Sequence, residues 1–297
     1  MTRTTATLLL ILATAIWGFA FIAQKSAMDY MGPMTFISVR YLLGGLIIIP
    51  FAIREYKKRK KRLSQKEWAL ILFLGVNLFL GSWLQQWGLI ETTVTNGGFL
   101  TGLYVFFVPL ILLVIFRTKP HFIVWLCVPI AMGGLFLLNG GGLDKLNSGD
   151  VKIIISAVFW ALHVVIIGYV ARLTGMPVLI SSFAFIFTGI ISSAGAFAFE
   201  APTLSAISDG WIEILYTGVL STAVAFTLQA IGQMKVPPAN AAIIMSAESL
   251  FAAIGGAIVF GERLLSIGYV GAILIFLSIV LVEAVPATLR RAKKPPN

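Results

Sequence analysis

Glu248 and His163 are titratable side chains near the middle of stretches that are otherwise apolar. Glu248 lies in Pro238–Phe260, PANAAIIMSAESLFAAIGGAIVF. That stretch is long enough to cross a bilayer, which takes about 20 apolar residues. A carboxylate at such depth costs about 2.5–3.5 kcal/mol on insertion scales. Ala239, Ala241, Ala242, Ser246, Ala247, Ser249, Ala252 and Ala253 crowd around it, and small side chains let neighbouring helices approach closely. The stretch reads as a helix packed inside a membrane bundle, with its acid turned to an internal cavity. The plainer alternative is a Glu paired with a buried donor for packing alone. A buried carboxyl group takes or releases a proton according to the cations and donors around it. Glu248 is therefore a candidate to exchange a proton during a cycle, or to face a substrate ammonium directly. Imidazole titrates near neutrality, so His163 fits a coupling role and a structural hydrogen bond equally well.

The elements that must position these groups are membrane helices. The chain has 297 residues, 59% hydrophobic and only 11% charged, with mean hydropathy +0.96. Ordinary soluble domains are about 25% charged. This is the composition of an all-α polytopic membrane protein. The net charge of +10 would suggest nucleic acid in a soluble protein. Here its one-sided placement along the chain explains it better, and no nucleic-acid partner is expected. The single cysteine, Cys127, cannot form an internal disulfide. HExxH, GxSxG and GxxxxGK[ST] are all absent. No cofactor, metal site or ATP hydrolysis is expected. An intramembrane enzyme would need more than a Glu248–His163 acid–base pair, because no nucleophile or metal cluster accompanies them. A scaffold or lipid-handling protein remains the other alternative, and it would tolerate loss of the deep polar groups.

Ten apolar segments can be drawn, at about 6–25, 34–53, 68–88, 93–115, 121–139, 151–172, 178–199, 211–233, 238–260 and 264–284. All should be helices, since open sheet edges cannot face lipid. Arg3 precedes the first run, which is too long for a signal-peptide core and lacks a clear cleavage site, so it reads as a retained span. Gly32-Pro33, Thr174-Gly175-Met176-Pro177, Pro237-Pro238 and Asn139-Gly140-Gly141-Gly142 mark breaks. The second-to-third connection holds Arg54, Lys57, Lys58, Arg59, Lys60, Lys61, Arg62 and Lys66. Arg3, Arg117, Lys119, Arg172, Lys235, Arg290, Arg291, Lys293 and Lys294 fall on the same side. That bias places both termini in the cytoplasm, in a multi-pass protein of the cell (inner) membrane. The 54–66 run reads as a topology determinant, with anionic lipid binding as the alternative.

The two halves resemble each other. Trp68–Gly75 aligns with Trp211–Gly218, and a shift of 144 places Leu84-Gln85 on Leu228-Gln229 and Asn96 on Asn240. Trp17 pairs with Trp160 at a shift of 143. Five spans per half is odd, so the second half enters from the opposite side. Residues 1–143 and 144–297 thus read as two inverted five-helix repeats, an organisation common in secondary transporters, whose sites lie near the midplane. Asn77, Gly81 and Gln85 share a helix face, as do Asn96, Leu100 and Tyr104. Their counterparts are Ser221, Ala225 and Gln229, then Asn240, Ile244 and Glu248. The expected cavity is lined by Trp17, Asn77, Gln85, Asn96, Tyr104, Trp160, His163, Gln229, Asn240 and Glu248. Arg40, near a helix end, reads as snorkelling to the interface rather than touching substrate. Pro109 and Pro129 read as bends or packing kinks.

Several stretches carry a family resemblance: AIWGFAFIAQKSA at 15–27, FISVRYLLGGLIIIP at 36–50, NGGFLTGLYVFFVPLILLVIFRTKP at 96–120 and AESLFAAIGGAIVFGERLLSIGYVGAILIFLSIVLVE at 247–283. Together with ten inverted spans they resemble the drug/metabolite transporter superfamily, specifically the EamA-type permeases. The family pattern has Glu-Pro in the ninth helix and Gly-Glu closing it. Here Ser249 follows Glu248, which removes the proline from that kink, whereas Gly261-Glu262 stands. The resemblance implies export of amino acids or related small metabolites. A proton or an electrochemical gradient would supply direction. Oligomeric state is left open, a monomer being the default.

Overall fold

The computed structural model describes residues 1–59, 62–142, 146–263 and 265–292, with side chains through Pro286. Lys60, Lys61, Asp144, Lys145, Leu264, Lys293 and Lys294, and the side chains of Arg290 and Arg291, lie outside the described residues. The described residues form helices and connections, with no strand among them. The long helices are α1 (Arg3–Asp29), α2 (Pro33–Lys57), α3 (Gln65–Leu89), α4 (Val94–Val114), α5 (Phe122–Leu138), α6 (Ser148–Thr174), α7 (Pro177–Phe199), α8 (Trp211–Gly232), α9 (Pro238–Val259) and α10 (Ser266–Pro286). Nine are long and apolar enough to span a bilayer, and α5 is shorter at 17 residues. The expected segments are recovered within a few residues at each end. Pro33, Pro177 and Pro238 open their helices, where a missing N–H costs nothing. Ser64 with Glu67, and Asn147 with Asp150, form capping boxes at the starts of α3 and α6. Gly175, at φ +71°, ends α6 in the left-handed conformation that glycine tolerates.

Helices pack through small residues. A Cβ on Gly88 would meet Gly149 O at 2.6 Å, which brings α3 onto α6. One on Gly134 would meet Gly271 O at 2.8 Å, joining α5 to α10. A Cβ on Gly18 would lie 2.6 Å from Glu248 O, so α1 rests directly on the backbone that carries the acid. Gly98 and Gly102 admit α9 against α4, and Ser249 Oγ donates to Gly98 O at 2.6 Å. The small residues around Glu248 do the packing their size suggests.

Carboxylates tie helix ends together. α2 and α7 run antiparallel, with Thr35 beside Glu200, Ser38 beside Ser193 and Gly45 beside Ser182. Glu200, just past the end of α7, accepts from Met34 N and Thr35 N at the start of α2, both at 2.8 Å. Glu55, near the end of α2, accepts from Leu179 N at the start of α7 at 2.8 Å. Each helix thus supplies the acid that caps the other, where unpaired N–H groups and the positive dipole end favour an anion. At the end of the bundle that carries Glu200, Glu262 does the same for α4, accepting from Val94 N (3.0 Å) and Thr95 N (2.9 Å). At that end too, the Lys152 ammonium and Ser148 hydroxyl beside Glu91 hold its carboxyl below the usual carboxylate range.

Three helices depart from regular α geometry around the middle of the bundle. α4 breaks at Leu103 (ψ −15°) and α9 at Ser246 and Ala247 (ψ −18° and −10°). In both, an N–H bonds three residues back rather than four: Leu103 N to Leu100 O at 3.3 Å, and Ala247 N to Ile244 O at 3.4 Å. This is the tighter 3₁₀ pattern. The α9 break therefore forms with Ser249 in the place of proline. In α4 the break lies upstream of Pro109, which sits within Tyr104–Val114. Residues Tyr216–Phe226 of α8 are π-helical, a form that often occurs at functional sites.

Candidate functional site

Tyr104 and Glu248 stand immediately after the two breaks, about ten residues into α4 and α9. At 1.5 Å per residue that is about 15 Å deep, half of a hydrocarbon core about 30 Å thick. Between them and α1, α2, α3, α6 and α8 lies a cavity with about 470 Å³ of unoccupied space, mouth included.

Seven of the ten expected residues line it: Trp17, Gln85, Tyr104, Trp160, His163, Gln229 and Glu248. Phe226, at the end of the π-helical segment, organises the aromatic wall. Its ring centroid lies 4.7 Å from Trp17, 5.8 Å from Trp160 and 5.5 Å from His163. Trp160 and His163 meet edge to face at 5.8 Å. Trp17 Nε1 donates to Ser221 O at 3.2 Å, which fixes its indole against α8. Gln85 Nε2 donates to Gln24 Oε1 at 3.1 Å.

Three expected residues do not line the cavity, because their amides are engaged between helices. Asn77 Nδ2 donates to Phe159 O at 2.8 Å. Asn240 Nδ2 donates to Val282 O at 3.0 Å. Asn96 Nδ2 donates to Asp150 Oδ1 at 2.6 Å and to Thr92 Oγ1 at 2.8 Å. Conversely, Arg40 lines the cavity and is 3% exposed rather than reaching the interface. Phe21, Gln24, Thr101, Val164, Ser221, Phe226 and Met245 complete the wall. The expected stripe of Ser221, Ala225 and Gln229 in α8 already contained Ser221. Nothing in the spacing pointed to Phe226, whose counterpart in the first half is Ser82.

The polar chemistry of the cavity is unspent. Sixteen buried side-chain nitrogen and oxygen atoms among the described residues have no hydrogen-bond partner, and nine of them belong to residues lining this cavity. They are Arg40 Nε, Thr101 Oγ1, Tyr104 Oη, Trp160 Nε1, both ring nitrogens of His163, Ser221 Oγ, Gln229 Oε1 and Glu248 Oε1. Tyr104 faces Glu248, and His163 faces Gln229, but neither pair closes into a hydrogen bond of normal geometry. Buried polar groups in proteins are nearly always paired. Such a concentration of donors and acceptors, walled by aromatic rings, suits a small polar guest with some apolar surface. Among the described residues no group of three or more His, Cys, Asp or Glu side chains is placed to hold a metal ion.

Comparison with known proteins agrees with this architecture. The EamA-like transporter family matches residues 4–140 and again 147–284. An uncharacterized transporter of Archaeoglobus fulgidus is 30% identical over 282 residues, covering 95% of this chain and 86% of its own length. An uncharacterized protein of Haemophilus influenzae is 30% identical over 111 residues, covering 37% of this chain and 84% of its own. A protein crystal structure matches at a TM-score of 0.77 over 99% of this chain and all of the other. At 16% identity that likeness is one of fold alone.

Proposed function

The chain belongs to the EamA-like transporter family, and from that premise we propose that it is a secondary transporter exporting amino acids or related small metabolites by alternating access. The observation that carries this reading is the set of unpartnered polar atoms around the mid-depth cavity. A scaffold gains nothing from leaving them unpaired. A carrier uses them to replace the hydration of a solute on its way through.

In this reading, residues 1–143 and 144–297 are the two repeats, and the cavity is exposed first to one side and then to the other. The matched breaks after Leu103 and Ala247 support that division, since transporter sites commonly lie where helices are discontinuous. The lopsided Lys/Arg count supports cytoplasmic termini in the cell membrane. Glu248 and His163 are the coupling candidates, with a proton as the coupled ion, and no catalytic step is assigned to either.

The test is net flux. Cells lacking the protein and cells overproducing it are compared for efflux and uptake over a panel of amino acids and small metabolites. Faster efflux of at least one amino-acid-like solute on overproduction is the expected result. Unchanged flux of every solute, with the protein present in the membrane, would overturn the reading.

A further inference from the structure

Arg40 is a second deep ionisable group beside Glu248 in the cavity, and the function as proposed leaves it without work. It lies about seven residues into α2 and is 3% exposed. Its guanidinium carbon lies over the Tyr41 ring, 4.7 Å from the centroid, and over the Phe36 ring at 5.6 Å. The guanidinium carries five N–H donors in a fixed fork. Among the described residues its recorded hydrogen bond goes to Tyr41 Oη, at a long 3.3 Å, and Nε has no partner. Tyr41 Oη is itself held by Ser82 Oγ at 2.7 Å, so the platform under Arg40 is fixed. None of the ion pairs among the described residues includes Arg40. Glu248 borders the same cavity, yet its Oε1 is also unpartnered and the two do not pair.

A charge inside a membrane protein is normally paired with another charge or a backbone carbonyl, or faces a cavity. Here one guanidinium and one carboxyl group border a single cavity and remain apart. A solute carrying both charges would satisfy both at once. A planar carboxylate matches the guanidinium fork bidentately.

We propose that Arg40 is the anion anchor of the transport site, taking the carboxylate of a small zwitterion whose ammonium end faces Glu248. This rests on the transporter reading and adds a specificity determinant to it. Mono-cations and neutral amides leave the fork unsatisfied and are discriminated against, as happens wherever a site built for a hydrogen-bonding group meets an analogue lacking it.

The experiment uses the purified full chain and matched probes: L-alanine, L-leucine and L-phenylalanine against their carboxamides, which keep the ammonium and the side chain. Binding is read from tryptophan fluorescence, since Trp17 and Trp160 line the cavity. At least one amino acid should bind tenfold or more tighter than its amide. In Arg40→Gln the amino acid should lose at least tenfold in affinity while the amide changes less than threefold, and Arg40→Lys should restore part of the loss. Amides binding as well as acids, no amino acid binding at all, or an Arg40→Gln variant with undiminished discrimination would each overturn the proposal. Should Arg40→Gln fail to fold, the acid-to-amide ratio of the unmodified protein and of Arg40→Lys decides it. Flux of any amino-acid-like solute in the metabolite panel leaves the transporter reading standing even if the anchor fails.

Discussion

Glu248→Gln separates a working carboxylate from a packed one. The change keeps shape and size in a side chain only 6% exposed. A Gln side chain at this position faces Tyr104 as the carboxyl group does, and its carbonyl is an acceptor of the same reach. Insertion and folding should therefore be kept, with the unfolding transition shifted by only a few degrees. Function is another matter. A hydrogen bond to a charged partner contributes about 1.5–3 kcal/mol and a neutral one about 0.5–1.5. Losing the charge toward a substrate ammonium thus costs about 1–1.5 kcal/mol. At about 1.4 kcal/mol per decade that is roughly a 5- to 12-fold loss of flux. If Glu248 also carries the coupled proton, net transport falls further, to background. The assay is reconstitution into vesicles, measuring net efflux and substrate exchange with the solute that the metabolite panel identifies. Exchange without net movement identifies proton coupling; weakened binding in both modes identifies direct contact. Net efflux equal to that of the unmodified protein would refute both roles and leave Glu248 a packing residue.

Reporter fusions at Lys61 and Lys145 should land on opposite sides of the membrane, and reports from one compartment would break the ten-span topology. Trp160→Ala should weaken substrate affinity at unchanged membrane abundance; an unaltered affinity removes the indole from the site. Phe226→Ala removes the ring that Trp17, Trp160 and His163 share. It should lower stability by about 3–5 kcal/mol, the usual cost of such a truncation, and a thermal midpoint within a degree of the parent would show the wall does not depend on it. Glu262→Ala frees Val94 N and Thr95 N. The cost should be about 1–2 kcal/mol locally, seen as faster amide exchange at those two residues, and unchanged exchange there would show that the cap is not needed.

Ten helices were legible because a bilayer imposes length and apolarity on every span, and that signal survives in a single sequence. The cavity was legible only in part. Periodicity tells which residues share a helix face but not what that face meets. Asn77, Asn96 and Asn240 share stripes with Gln85, Tyr104 and Glu248, yet each spends its amide on a neighbouring helix. Arg40 was misread for the opposite reason: its place near a helix end gave its depth, while the rings of Phe36 and Tyr41 that hold it inward depend on packing. Phe226 was hidden by the repeat itself, because its first-half counterpart is a serine. The π-helical segment had no signature either, since YTGVLSTAVAF has the composition of any small-residue membrane helix.

The paired caps on α2 and α7 have a mechanical consequence. Glu200 grips the backbone at the start of α2 and Glu55 grips the backbone at the start of α7, one at each face of the membrane. A beam clamped at both ends can tilt, but it cannot slide along its partner. Slipping by a single helical turn, about 5.4 Å, would pull both carboxylates off their amides together. The register of the two helices is therefore tied at both ends, and Arg40 lies on α2 between the two caps. Beside that pair stand the helices interrupted near mid-depth: α4 and α9 at their 3₁₀ breaks and α8 through its π-helical stretch. Irregular backbone thus gathers beside the cavity, and paired caps hold the flank.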